Sequence, residues 1–461
     1  MNNEKTRPLR LSLRGGIREI LTLAFPLILS TGAMSIQEFV DRMFLTWYSP
    51  ASIAAATPAG ILHFTLLSFF LGTAGYTSTF VAQYFGAKRW EHIGPVLAQG
   101  LYVALFGGLS QLLLVPLAPR IFAFIGHPPA VQALEIHYFR ILCMGAFFPI
   151  AASALAGFFS GRGRPWPVMW VHAAATGLNV LFNYALIFGN WGFPELGIRG
   201  AGISTVLSGG FSFFLFLIWI RRGRKARRYD VHGLFRFDRE LFRRLLRFGL
   251  PNGGQFFLDM FGFTVFILLV GRLGTEQLAA SNIALNINML AFMPMLGLGI
   301  AVSVLVGQYL GADNPELAER SVWAGAAVSF LYMGTIAASY LLVPGLYVSI
   351  FTMRGGTADY AAIAPLAVKL LRFVAAFSVF DTMNIVFASG IKGAGDTRFV
   401  MVYLLCLSVG VLIVPAYLAL VVFKAGIYAA WVIVTVYISV MGFGFLFRFL
   451  GGRWKSMRII D

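Results

Sequence analysis

The sequence predicts an all-helical integral membrane protein with twelve membrane-spanning segments arranged as two copies of six, and three observations carry that prediction. Hydrophobic residues make up 58% of the chain and charged ones 12%, with a mean hydropathy of +0.78. Too few polar side chains remain to cover a water-soluble globule. Twelve apolar stretches match the roughly 20 residues that a helix needs to cross a bilayer. They centre near Ile28, Leu66, Val103, Met144, Thr176, Val206, Phe261, Phe292, Tyr332, Val374, Ser408 and Thr435. Finally, Val81-Ala-Gln-Tyr-Phe-Gly-Ala87 recurs 225 residues later as Val306-Gly-Gln-Tyr-Leu-Gly-Ala312. The same offset relates Pro26 to Pro251, and an offset of 229 relates Gly161 to Gly390 and Gly197-Ile198 to Gly426-Ile427. A duplicated membrane protein is expected to be a transporter.

Taken in order, the first apolar run follows Lys5, Arg7, Arg10, Arg14 and Arg18 and could mimic a signal peptide. It is long, has no small-residue cleavage site and continues into Glu38 and Asp41, so it is expected to remain as span one. Span two ends in the first copy of the repeated motif, followed by Lys88 and Arg89. Span three precedes Arg120, and span four opens with Glu135 and Arg140 and is followed by Arg162 and Arg164. Span five contains Asn179 and Asn183, and span six begins with Ser204-Thr205. A basic loop then holds Arg221, Arg222, Arg224, Lys225, Arg227, Arg228, Arg236, Arg239, Arg243, Arg244 and Arg247. Span seven carries Asp259, span eight leads into the second copy of the motif, and span ten carries Asp381. After span twelve the tail adds Arg448, Arg453, Lys455 and Arg458.

Six crossings return the chain to its starting side, so the two copies share one orientation and the repeat is parallel rather than inverted. The basic residues fall on alternate loops. The intervening loops and span ends hold little more than Arg120, Arg140, Arg199, Arg272, Arg354, Lys369, Arg372 and Lys424. The positive-inside rule therefore predicts cytoplasmic termini and a cytoplasmic central loop. The division expected from the repeat is 1–230, with spans one to six and the start of the basic linker, and 231–461, with spans seven to twelve. A net charge of +17 would suggest nucleic acid in a soluble chain, but this distribution answers to membrane topology instead. Cys143 and Cys406 both lie in apolar runs, which gives no disulfide framework. The sequence has no Gly-x-x-x-x-Gly-Lys-[Ser/Thr] loop, no His-Glu-x-x-His and no Gly-x-Ser-x-Gly, and its six histidines show no metal-ligand spacing. ATP-driven transport and hydrolytic chemistry are thereby disfavoured, and no cofactor is expected.

A carboxylate at mid-bilayer costs about 2.5 to 3.5 kcal/mol on insertion scales, so Asp41, Asp259 and Asp381 should face a cavity or a partner. They could instead act as structural glue. Asp41 and Arg42 are a poor pair because adjacent helical residues point about 100° apart. Asn179 and Asn183, at i and i+4, share one helix face. With Asp41 and the Ser204-Thr205 pair they offer one anionic and several neutral oxygens, suited to sodium or to a hydrogen-bonded proton site, while Asn in a membrane helix also serves simply to hold neighbouring helices. Phe256, Phe257 and Phe261 beside Met260, Met289, Met293 and Met295 pack or face lipid, or else suit bulky lipophilic cations.

These residues, in order and spacing, resemble the multidrug and toxic compound extrusion family, most of all its NorM-type bacterial branch, from about Ile17 to Arg448. The carriers are Phe39-Val40-Asp41, the two copies of the repeated motif, Asn179 to Gly189, Pro194-Glu195-Leu196-Gly197, Phe256-Phe257-Leu258-Asp259, Ala284-Leu285-Asn286, and Asp381 with Gly390-Ile-Lys-Gly-Ala-Gly-Asp396. The resemblance implies two six-helix lobes of the multidrug/oligosaccharidyl-lipid/polysaccharide transporter type that alternately open a central cavity. They would export amphipathic cationic drugs in exchange for sodium or protons across a bacterial inner membrane. It implies an N-lobe cation or proton site at Asp41, Asn179, Asn183 and Thr205, with Na+ as one occupant, and a C-lobe acidic pair at Asp259 and Asp381. A substrate cavity would be lined by Gln37, Phe256, Phe257, Met260, Asn282, Asn286 and Met289. The lipid bilayer and small cationic drugs are the expected partners, without nucleic acid, and a monomer is expected. The chain departs from the NorM-like pattern at Asp259, where Glu is usual, and at Ser281-Asn282, where His-Gln is usual. Asn183 also stands where part of the family has a second Asp. The nearest rival is a lipid-linked oligosaccharide flippase of the same superfamily, which should want a cationic cavity for its pyrophosphate. A membrane-embedded transferase is the more distant rival.

Overall fold

The computed structural model describes residues 14–223, 226–231, 236–352 and 359–460. Lys5, Arg7, Arg10, Arg224, Lys225 and Arg354 lie outside them. Among the described residues there are twelve helices long and apolar enough to cross a membrane, and no strand. They are α1 (Ile17–Tyr48), α2 (Pro50–Gly86), α3 (Trp90–Leu112), α4 (Pro129–Gly161), α5 (Trp166–Phe188) and α6 (Ile198–Arg222), then α7 (Arg239–Gly271), α8 (Thr275–Gly311) and α9 (Pro315–Leu342). The remaining three are α10 (Asp359–Ala394), α11 (Thr397–Val422) and α12 (Ile427–Leu450).

Each expected span is present, with local departures that hydropathy does not encode. α2 breaks at Tyr76, between Gly75 and Thr77. α11 widens into π-helical turns at Ser408–Ile413 and Leu418–Val422 on either side of Pro415. A proline has no N–H to give to the preceding turn, and a wider turn accommodates the lost bond.

Packing divides the chain into two compact units whose limits differ from the division at 230/231 expected from the repeat. One comprises Leu29–Phe257 with Ile459 and Ile460; the other comprises residues 14–28 with Leu258–Arg458. The boundaries fall inside α1 and α7 rather than in the basic loop, because the start of each helix is fastened within the unit of the opposite repeat. On α8, a Cβ at Gly297 would come 2.7 Å from the backbone nitrogen of Ile28, and Tyr309 donates to Glu19 at 2.6 Å. On α2, Gly72 meets Gly253 of α7 so closely that a Cβ would stand 2.8 Å from its Cα, and Asn252 Nδ2 donates to Gly72 O at 2.8 Å. Small residues allow this backbone approach where lipid supplies no hydrophobic drive between helices. Tyr84 and Tyr309 are the two copies of the motif's tyrosine, and their partners Arg244 and Glu19 also stand 225 residues apart. The duplication is thus kept in the backbone and inverted in charge. It is visible again where Lys88 and Asp313 adopt left-handed φ of 59° and 58°.

In the first unit the core joins α2, α3, α4 and α6, with Phe80, Ile93, Leu97, Ile150, Leu155 and Phe216 almost fully buried. Part of the basic loop docks on it. Tyr229 and Val231 are buried, Arg228 lies 3.3 Å over the Trp90 ring, and Arg162 lies 3.5 Å over Phe158 and 4.8 Å over Tyr229. These arginines cover aromatic faces.

In the second unit Arg448 Nε donates to Asp396 at 2.7 Å, with the carboxylate side chain only 8% exposed and the arginine 21%. Removing one member of a fully buried pair costs about 3 kcal/mol or more, and less here because Arg448 keeps some solvent contact. Arg448→Met is therefore expected to lower the melting temperature in detergent by several degrees. The double variant with Asp396→Asn should recover most of that loss.

Candidate functional site

Asp41 lies on α1 seven residues before its end, inside a membrane-spanning helix where Glu38 and Arg42 are its charged neighbours in sequence, so its carboxylate must find partners within the protein. It finds them on α5 and α6. Asn179 and Asn183 are fully buried on one face of α5. Asn183 Nδ2 donates to Asp41 Oδ1 and, at 3.0 Å, to Asn179 Oδ1. The Thr205 hydroxyl, 3.0 Å from Ala201 O, also reaches the Asp41 carboxylate. The four residues expected from the sequence as an N-lobe site therefore stand together in the first unit. Tyr138 of α4, buried and within electrostatic reach of Asp41, is an additional neighbour. Glu38, one turn earlier on α1, is exposed.

Two polar atoms of this cluster, Asn179 Nδ2 and Asn183 Oδ1, are buried without a hydrogen-bond partner. Leaving such a group unmatched costs about 1 to 3 kcal/mol, so buried orphans mark a place for a further polar ligand. The Asn183 carbonyl, the Asp41 carboxylate and the Thr205 hydroxyl are hard oxygen donors, a set that fits an alkali cation or a proton. Among the described residues no three His, Cys, Asp or Glu side chains group as a metal site.

In the second unit, Asp381 of α10 is 8% exposed and accepts from Asn384 Nδ2 at 3.2 Å. Asp259 of α7 is half-buried. Tyr437 of α12, hydrogen-bonded to Ser408 at 3.0 Å, lies within electrostatic reach of both carboxylates. Lys392, also on α10, attracts Asp259. Neither Tyr437 nor Lys392 was singled out from the sequence. A useful signal for Lys392 was its spacing: eleven residues after Asp381 is three helical turns, hence the same face.

The residues expected to line a substrate cavity are distributed over both units. Gln37, Phe256 and Phe257 are half-buried in the first, where Phe256 meets Phe64 edge-on at 6.0 Å. Met260 in the second is half-buried, while Asn282, Asn286 and Met289 form an exposed stripe on α8, with Asn286 Nδ2 donating to Asn282 O at 2.8 Å.

The profile of the MatE family matches residues 26–185 and 251–418, one match in each repeat. Among curated relatives, a probable multidrug resistance protein NorM of Mesorhizobium japonicum is 32% identical over 393 residues, covering 85% of this chain and 84% of the relative. A probable NorM of Pseudomonas putida is 34% identical, covering 83% of each. The multidrug resistance protein PmpM of Pseudomonas aeruginosa is 31% identical, covering 85% and 81%. Among solved structures, a MOP superfamily transporter from Pyrococcus furiosus superposes with a TM-score of 0.86 at 21% identity, covering 98% of this chain and all of that one. An outward-facing multidrug resistance MATE family transporter gives 0.86 at 21% identity, covering 99% and 100%.

Proposed function

This chain belongs to the MatE family of membrane transporters, and we propose that it exports amphipathic organic cations from a bacterial cell by alternating access, in exchange for sodium or protons moving inward. The cluster of Asp41, Asn179, Asn183 and Thr205, with the Asn183 carbonyl oxygen buried and without a donor, is the observation that carries this reading. A single anionic group held by neutral donors in apolar surroundings binds either a coupling ion or nothing at high cost, and that is what an exchanger needs. An ion bound at Asp41, or at Asp259 and Asp381, favours a conformation with low affinity for the drug. Drug and ion are thereby linked through one equilibrium. The relatives are named as multidrug resistance proteins, and the aromatic and methionine side chains at Phe256, Phe257, Met260 and Met289 suit adaptable, lipophilic cargo. The placing of both termini and the basic loop on the cytoplasmic face of the inner membrane belongs to the same proposal and rests on the loop charges.

The test is efflux of a fluorescent lipophilic cation from liposomes containing the purified protein, under sodium and pH gradients imposed separately. Efflux driven by sodium at constant pH makes the Asp41 cluster or the acidic pair a sodium site. Efflux driven only by the pH gradient makes the same carboxylates proton carriers. No efflux under either gradient would overturn the reading and favour a flippase.

A further inference from the structure

α7 is longer than a bilayer is thick. Its 33 residues extend about 50 Å, against about 30 Å of hydrocarbon, and Arg272 follows directly on Gly271 at its far end. The surplus of about 20 Å falls on the start of the helix, which puts Arg239 to Leu250 at the depth of the lipid headgroups and beyond. Exposure along this stretch follows the helical period. Arg239, Arg243, Arg247 and Leu250, at i, i+4, i+8 and i+11, are exposed on one face. On the opposite face Leu241 and Leu245 are buried in the core of the first unit. The exposed stripe turns from cationic to apolar at Leu250, its residue nearest the hydrocarbon. Among the described residues no carboxylate pairs with Arg239, Arg243 or Arg247, whereas Arg244 on the adjoining face is held by Glu240 at 2.9 Å. The stripe is also fixed in place. Gln99 of α3, fully buried, donates to Arg236 O at 3.0 Å and accepts from Asp238 N at 3.3 Å. Asp238 Oδ1 in turn accepts from the backbone N–H groups of Glu240 and Leu241 at 3.0 Å each, which caps the helix at its first turn.

We propose that Arg239, Arg243 and Arg247, with Leu250 below them, form a binding surface for anionic phospholipid in the leaflet where α7 begins. The charge of the stripe and its depth select this occupant. A guanidinium presents a planar fork of donors that matches two phosphate oxygens, and Leu250 lies where the acyl chains begin. A zwitterionic headgroup brings a cation of its own to the arginines, which an acidic headgroup does not, so the surface distinguishes the two classes. Each basic residue near an anionic surface contributes about fivefold in affinity. The inference goes beyond cation efflux, since the lipid is bound with neither cargo nor an ion gradient.

The experiment follows thermal melting of the full-length protein in a neutral detergent as phosphatidylglycerol, phosphatidylcholine or inorganic phosphate is added. Phosphatidylglycerol is expected to raise the melting temperature at lower concentration than phosphatidylcholine, with an advantage that shrinks between about 0.1 and 1 M salt. Inorganic phosphate at the same concentrations should have no comparable effect. Arg243→Gln with Arg247→Gln should move the phosphatidylglycerol titration to about thirtyfold higher lipid, and Arg243→Lys with Arg247→Lys should keep it near its original place. Arg272→Gln with Lys424→Gln, which removes the same charge elsewhere, should not move it. Equal titrations with the two lipids, an equal effect of inorganic phosphate, an unmoved titration in the glutamine variant, or the same shift in the Arg272 and Lys424 control would each overturn the proposal. If the double glutamine variant does not fold, Arg243→Gln and Arg247→Gln singly decide, each expected to shift the titration about fivefold. Absence of efflux under both gradients would leave this result standing, and failure of the lipid comparison would leave the efflux reading standing.

Discussion

Asp41→Asn is expected to abolish drug resistance and cation efflux without lowering the amount of protein in the membrane. The substitution keeps shape and removes charge. Asn183 Nδ2 then donates to a neutral amide instead of a carboxylate, and the Thr205 hydroxyl loses its charged partner. A contact to a charged group is worth about 2 kcal/mol, so loss of the only formal charge among Asp41, Asn179, Asn183 and Thr205 should lower cation affinity about thirtyfold or more. Glu38→Gln is the control, because Glu38 is exposed one turn away and should leave most of the efflux. Minimum inhibitory concentrations, surface abundance and liposome efflux measured together decide the matter; resistance retained in full by Asp41→Asn would exclude the cluster from coupling.

Gly157→Val is expected to prevent recovery of folded protein. Gly157 of α4 faces the break in α2, where a Cβ would stand 2.6 Å from Thr77 Oγ1 and 2.8 Å from Ser78 N. Thr77 Oγ1 donates across the same contact to Ala154 O at 2.9 Å, so neither side has freedom to retreat. Overpacking of this kind typically costs about 1 to 3 kcal/mol, and the buried hydroxyl and carbonyl parted by the added side chain cost about 1 to 3 kcal/mol more. Size-exclusion profiles of the detergent extract should show aggregate in place of a monodisperse peak. Gly177→Val, on α5 where nothing lies within 4 Å of the added Cβ, should give a normal profile. Equal profiles for the two variants would show that the α2–α4 contact is not as tight as described.

The two sites were unequally legible, and the difference has a physical source. Asp41 announced itself because a carboxylate in an apolar run is costly, and Asn179 and Asn183 did so because i and i+4 share a helix face. Lys392 gave a weaker signal, lying in a helix end rich in glycine where a basic residue is ordinary, and its partner Asp259 is far away in the chain. Tyr437 gave none, since an aromatic in a membrane helix is usual. The division into units was also hidden: the repeat marks where the gene-level copy begins, but the close contacts at Gly72 with Gly253 and at Gly297 with Ile28 decide where each helix start packs.

Hydropathy, loop charge and the duplicated motif by themselves determined that this is a twelve-span membrane protein of two like halves, because each span answers locally to the bilayer and each copy to the same backbone rule. Only the tertiary structure decided that Asn183 meets Asp41, that Tyr437 comes within electrostatic reach of two carboxylates, and that the starts of α1 and α7 belong to the units opposite their own repeats. Those outcomes depend on which surfaces approach closely enough to exclude other partners, a property of pairs of helices that no single segment carries.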